Sequence, residues 1–325
     1  MKILLLSRGR LPVVGYGGTE RVVWWLAKAL HEKGHHVSLM ADEVSDCSFA
    51  RTYKFDPTNN IHSQIPDDID IVHSHFPVRQ NIKKPYMVTI HGNGKPNEVF
   101  DKNTVFVSKN HAERHNSTNY VYNGPDYSEY GSVDWNLKRS HLLFLAQNRK
   151  EKNLKLSIVI AEKNQIPLEV IGTEMPVKKW YQILKKDSLF AHYNGQLGGT
   201  KKISLLNSSI ALLFPVIWHE PFGLAIVESL YFGSPVIASN YGSIPELINK
   251  EVGFISGSES ELIDSVKSIN DIDRKLCHSY AKDTFNSSIM ADNYLKYYEK
   301  VLNNIELNPS APFSKITKRE RLFKL

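Results

Sequence analysis

The sequence predicts an α/β fold of two doubly wound parallel-sheet domains, and three observations carry that prediction. A short apolar run, a glycine-rich loop, an amphipathic helix and a second apolar run succeed one another within about the first 40 residues. That succession is a βαβ unit, which demands a parallel sheet. The same alternation restarts at His141, after the turn cluster Asn123-Gly124-Pro125-Asp126 and a polar, aperiodic stretch to Ser140. A chain of 325 residues suits two such domains.

The elements follow in order. Lys2–Ser7 reads as a buried strand, and Arg8 to Gly18 as a loop holding Gly9, Gly15, Gly17 and Gly18. A helix from about Thr19 to Lys33 buries Val22, Val23, Leu26, Ala29 and Leu30, with Gly34 where a C-terminal glycine belongs. Val37–Met40, Ile69–His73, Tyr86–Ile90 and Thr104–Val107 read as further strands. The second series is strand His141–Ala146, helix Leu154–Lys163, strands Leu168–Ile171 and Ala191–Tyr193, helix Lys201–Asn207 and strand Ile210–Phe214. Helix Pro221–Phe232, strand Val236–Ala238 and helix Pro245–Asn249 come next, then a mostly helical stretch from Ser258 to Asn304. The expected domains are residues 1–135 and 136–287, with 288–325 as a helix returning to the first domain plus a basic tail. Tyr294, Leu295, Tyr297, Tyr298 and Leu302 give that helix an apolar stripe.

Composition excludes several classes. With 42% hydrophobic and 23% charged residues the chain is neither disordered nor collagen-like. No apolar run approaches a membrane span, and the apolar start Ile3–Leu6 is too short for a signal peptide. Cys47 and Cys277 lie far apart and form neither a disulfide framework nor a metal-ligand spacing, which suits a reducing, cytoplasmic setting. Of the net charge of +6, residues 314–325 hold +4, five basic residues against Glu320, so the body carries only +2. That is no nucleic-acid footprint. The tail interleaves Phe313, Ile316, Leu322, Phe323 and Leu325 with its cations after Pro309-Ser310-Ala311-Pro312. It reads as a solvated terminus that the fold does not need, or as a short amphipathic contact with an anionic membrane.

The chemistry concentrates in Trp218-His219-Glu220-Pro221-Phe222-Gly223-Leu224, with Glu228 beyond. Pro221 suits a first helical turn, and the amides of Phe222, Gly223 and Leu224 at the helix start would form an anion site. Glu220 before the helix and Glu228 two turns into it would lie at most ~12 Å apart along the axis. Carboxylates accept well from paired sugar hydroxyls, so acids on both sides of a phosphate-binding helix end describe a nucleotide-sugar site.

This arrangement resembles the Glu-x7-Glu donor-site motif of the retaining glycosyltransferases of family 4, which have the GT-B fold of two Rossmann-like domains facing a cleft. Tyr241-Gly242-Ser243-Ile244-Pro245-Glu246 resembles the family's Gly-Gly-x-Pro-Glu turn, with Ser243 in place of the second glycine. Gly15-Tyr16-Gly17-Gly18-Thr19-Glu20-Arg21 resembles its first glycine-rich loop, and Val88-Thr89-Ile90-His91-Gly92 a strand ending in a cleft histidine. The loop is no dinucleotide fingerprint, because Glu20 stands where a third glycine should be. Asn148-Arg149-Lys150-Glu151-Lys152-Asn153 resembles the first loop of the family's second domain, with Gln147 at the usual arginine position. His73 and His75 resemble a second cleft strand and read as structural.

The resemblance implies transfer of a sugar from a nucleoside diphosphate sugar, most simply a UDP-sugar, to a hydroxyl of a glycan or lipid-linked acceptor, with retained anomeric configuration. It implies Glu220 on the donor sugar, Glu228 on the ribose and His91 near the anomeric centre. Gly17, Gly18, Arg149, Lys152 and the Phe222, Gly223 and Leu224 amides would hold the diphosphate. No cofactor, metal or nucleic-acid partner is expected: Asp68-Ile69-Asp70 precedes its strand, whereas a metal-binding Asp-x-Asp follows one. A sugar-nucleotide epimerase or phosphorylase on the same fold, a nicotinamide-dependent oxidoreductase, and a non-catalytic sugar-nucleotide-binding protein are the rival readings.

Overall fold

The computed structural model describes residues 1–13, 15, 17–173, 190–316 and 322–325, so Tyr16 of the first loop and Lys318, Arg319, Glu320 and Arg321 of the tail lie outside the described residues. The chain forms two compact units: residues 1–126 with 285–316, and residues 127–284 with 322–325. The first two divisions therefore fall at 126/127 and 284/285, against the expected 135/136 and 287/288, and the chain returns to the second unit for residues 322–325. Aromatic packing explains both. Tyr127 stacks on Tyr231 of the second unit at 4.1 Å, while Phe285 meets Tyr122 of the first at 5.7 Å.

The first unit is a six-stranded parallel sheet of β1 (Lys2–Leu6), β2 (His36–Ala41), β3 (Ala50–Lys54), β4 (Ile71–Ser74), β5 (Tyr86–Ile90) and β6 (Thr104–Phe106), in the order β3-β2-β1-β4-β5-β6. Ile3 to Leu6 are fully buried, as a central strand covered on both faces requires. Helix Gly18–Glu32 buries all five expected residues and, on the two flanks of that stripe, Trp25 and Ala27 besides; helix Ser287–Leu302 packs against it. In that last helix the buried stripe is Met290, Ala291, Tyr294, Tyr298 and Val301, so Leu295, Tyr297 and Leu302 lie beside the stripe. The glycine-rich loop is not all loop. Arg10–Leu11 pairs in parallel with Glu43–Val44.

The second unit repeats the architecture with β7 (His141–Leu145), β8 (Leu168–Ile171), β9 (Ala191–Tyr193), β10 (Ser209–Phe214), β11 (Val236–Ala238) and β12 (Gly253–Ile255), all parallel, in the order β9-β8-β7-β10-β11-β12. Its core joins Leu142, Phe144, Ile160, Val170, Leu213 and Ile237. In both units the strand order is that of a dinucleotide-type sheet, whose ligands sit beyond the carboxyl ends of the strands.

Candidate functional site

In the second unit the site starts at the carboxyl end of β10. Residues after Phe214 do not enter a helix at Pro221, as the sequence suggested. The helix spans Leu224–Tyr231, with Gly223 before it at φ 95°. Glu220 instead forms a parallel bridge with Gly242, and Ser243 donates its backbone N–H to the Glu220 carbonyl at 2.9 Å and its hydroxyl to the Phe222 carbonyl at 2.7 Å. Glu220 is thereby held in an extended bridge, and Gly223, in a left-handed conformation that favours glycine, turns the chain into the helix. A Cβ on Gly242 would come within 2.3 Å of the Glu220 nitrogen, which accounts for glycine there. Ser243, the departure from the Gly-Gly-x-Pro-Glu pattern, supplies one of the hydrogen bonds that hold this turn.

Glu220 is only 7% exposed. Its Oε2 accepts from Lys152 Nζ at 2.6 Å and from Trp218 Nε1 at 2.8 Å. Lys152 also lies over the rings of Trp218 and Phe214, at 4.9 and 5.3 Å from their centroids. The cation expected to face a diphosphate thus pairs with the acid expected to face the sugar.

Glu228 is 4% exposed and lies little more than one turn into its helix, not two. Lys202 Nζ donates to both carboxylate oxygens, at 2.9 and 2.7 Å, and Tyr130 donates its hydroxyl to Oε1. The sequence reading missed Lys202, Tyr130 and Trp218. Trp218 carried one signal, since a buried indole N–H needs an acceptor and Glu220 lies two residues on. Lys202 follows another lysine on an ordinary helix and carried none. Removing one member of a buried ion pair strands the other. Lys202→Met should therefore cost about 3 kcal/mol in urea denaturation, and adding Glu228→Gln should return most of it. A double variant no more stable than the single one would mean that the two groups are not coupled.

Arg149 is exposed, on the loop before the turn Lys150–Lys152, and its backbone N–H bonds the Gln147 carbonyl at 2.8 Å.

Gly17, Gly18 and His91 belong to the first unit. Gly17 precedes helix Gly18–Glu32. His75 and His91 immediately follow β4 and β5, and His75 Nδ1 hydrogen-bonds His91 Nε2 at 2.9 Å. Burial pushes the His91 imidazole down to about 4, so it is neutral near pH 7. His73 is structural, as expected, bonded by Tyr298 and Thr89 at 2.7 and 2.8 Å. His75 is buried beside it, with the rings of His73 and His75 4.1 Å apart.

The described part of the tail and the residues before it pack on the fold. Phe100 N–H bonds the Pro312 carbonyl, and Phe313 and Lys315 bond the carbonyls of His115 and Arg114. Phe323 and Leu325 pack on the second unit, which leaves Phe313 and Leu322 as exposed apolar side chains. Asp68 pairs with Lys2 and Arg51, and Asp70 accepts from the Lys2 backbone. Among the described residues no group of three or more His, Cys, Asp or Glu could hold a metal ion, and no helix is long and apolar enough to cross a membrane.

Residues 131–285 match the family described as "Glycosyl transferases group 1". A 41.2 kDa protein in the cps region of Klebsiella pneumoniae is 25% identical over 175 residues, 50% of this chain and 47% of that protein. The D-rhamnosyltransferase WbpZ of Pseudomonas aeruginosa is 26% identical over 109 residues, 33% of this chain and 29% of the relative. The matching segments thus span half or less of these relatives. Among solved structures, AviGT4, a glycosyltransferase involved in Avilamycin A biosynthesis, superposes with a TM-score of 0.78 at 20% identity, over 93% of this chain and 98% of the other. Anabaena HepE in complex with UDP-glucose gives 0.68 at 16% identity, over 92% and 100%. The chain therefore has the two parallel-sheet α/β domains of GT-B glycosyltransferases, and its residues 131–285 match a Glycosyl transferases group 1 domain.

Proposed function

We propose that the protein is a retaining, metal-independent glycosyltransferase that moves a sugar from a nucleoside diphosphate sugar, in the first instance a UDP-sugar, to a hydroxyl of a glycan or lipid-linked acceptor. The observation that carries this reading is the pair Glu220 and Glu228, both buried, each held by a lysine and an aromatic donor, on one loop-and-helix segment of the second unit. Buried, oriented carboxylates discriminate among hydroxyl patterns, because an unmatched substrate leaves them unsatisfied. The glycan acceptor is supported by the cps-region and rhamnosyltransferase relatives.

Glu220 holds hydroxyls of the donor sugar and Glu228 those of the ribose. Lys152, Arg149 and the backbone of Phe222–Leu224 bind the diphosphate. The bond from the anomeric carbon to the leaving phosphate oxygen breaks, and its electron pair leaves with the nucleoside diphosphate. The acceptor oxygen bonds the same face while its proton passes to that phosphate oxygen. Fixed positive charge at the diphosphate is the main stabilisation such a step needs. In the first unit His91, neutral, offers a hydrogen-bonding group.

A thermal-shift screen over UDP-, GDP- and ADP-sugars tests the reading. One donor class present at 100 times its Kd should stabilise the fold by about 2.7 kcal/mol. Product analysis with that donor and a glycan acceptor should then show a new glycoside with the donor's anomeric configuration. No shift with any nucleotide sugar would sink the proposal, and release of an epimer or a sugar phosphate would replace it with another chemistry.

A further inference from the structure

We propose that Phe323 is a positioning residue for the Lys152–Glu220 pair. The ring of Phe323 stacks on Tyr241 at 4.5 Å and meets the edge of His219 at 4.7 Å. These two residues immediately precede Gly242 and Glu220, the partners of the bridge that keeps Glu220 extended. One ring therefore rests on both strands of that bridge.

The backbone adds a second tie. Phe323 N–H bonds the Ile217 carbonyl at 2.7 Å, and Ile217 N–H bonds the Glu151 carbonyl at 2.9 Å, next to Lys152. Ile217 thus links Phe323 to the turn that carries the cation of the pair. Tyr241 donates its hydroxyl to the Lys324 carbonyl at 2.6 Å, and Leu325 packs against the core of the second unit. Two ring contacts and two hydrogen bonds tie residues 322–325 to the loops carrying Glu220 and its bridge partner Gly242, and Leu325 anchors them on the core.

An aromatic ring placed this way acts by restricting the loops, since oriented groups lose their effect when displaced by about an ångström. The tail segment expected to be a solvated end or a membrane contact is, at Phe323, part of the wall behind the candidate site. Its role in substrate binding rests on the proposed reading of Glu220; its hold on the loops does not.

The test uses the full chain. Phe323→Leu keeps apolar bulk and removes both ring contacts. It should weaken UDP binding about tenfold and shift the Trp218 indole N–H resonance, assigned with Trp218→Phe, while the melting temperature moves by only a few degrees. Phe323→Tyr should restore both readouts. A Phe323→Leu protein with unchanged UDP affinity and an unmoved indole resonance overturns the proposal, as does one that loses thermal stability alone. If the wild type itself binds no UDP, the functional reading fails and the indole resonance alone decides the positioning role.

Discussion

Glu220→Ala should lower kcat by about 10²–10³, the scale of removing one oriented group from a charge-stabilising site, with KM for the donor unchanged or lower. The direction of KM follows from the ion pair. Lys152 shares Glu220 Oε2 with the Trp218 indole, and without the carboxylate its charge is free for the diphosphate. Ground-state binding can tighten while orientation of the sugar is lost. Glu228→Ala should behave oppositely and raise KM more than it lowers kcat, because the ribose is remote from the reacting carbon. Stability must be measured alongside, since stranding a buried lysine costs about 3 kcal/mol. A Lys152→Met, Glu220→Gln double variant should regain stability without turnover. Wild-type turnover in Glu220→Ala would remove Glu220 from the reaction.

Acidification from pH 7 toward pH 4 should destabilise the first unit steeply. Burial pushes His91 and His115 down to about 4, and burial first, with neighbouring imidazoles, also lowers His73, His75 and His111. His115 shows why the neutral form is enforced. Its Nδ1 donates to the His111 carbonyl at 2.7 Å and its Nε2 accepts the Gly94 N–H at 3.2 Å, so a second proton would set donor against donor. The sign follows from linkage. Above pH 6.5 folded and unfolded histidines are alike neutral. Below it the unfolded chain takes up protons that the native one refuses, so stability falls until the folded value near 4 is passed. For His115 alone the loss approaches about 3 kcal/mol. Denaturant midpoints between pH 7.5 and 4.5 should fall continuously below about 6.5. A flat profile across that range would mean that the cluster already carries charge in the native state.

How much of this was legible in the sequence depends on how local the signal was. The central strands were readable because both faces are covered, so Ile3-Leu4-Leu5-Leu6 and Leu168-Glu169-Val170-Ile171 are short, bounded runs. Two of the four edge strands, Ala50–Lys54 and Gly253–Ile255, were not, since a partly exposed edge needs no continuous apolar run. The helix at Leu224 was placed three residues early because Pro221 fits a first turn in isolation. What overrides it is the bridge to Gly242, a partner 22 positions away. The acids Glu220 and Glu228 were found from type and spacing. Their lysines could not be, because Lys152 and Lys202 reach them from other loops and helices, 68 and 26 positions distant.

The partition of the chain has a practical bearing on how it can be cut. Residues 131–285 bound the family match, yet the second unit includes 127–130 and 322–325, and the first is completed by the helix Ser287–Leu302. A fragment trimmed to the match would lose Tyr130 from Glu228 and Phe323 from Tyr241. What remained of the first unit would lose the helix that packs on its first helix. Neither unit is a segment that a protease or a cloning boundary can separate in one piece, so a faithful version of this protein keeps all three crossings between the units and residues 322–325.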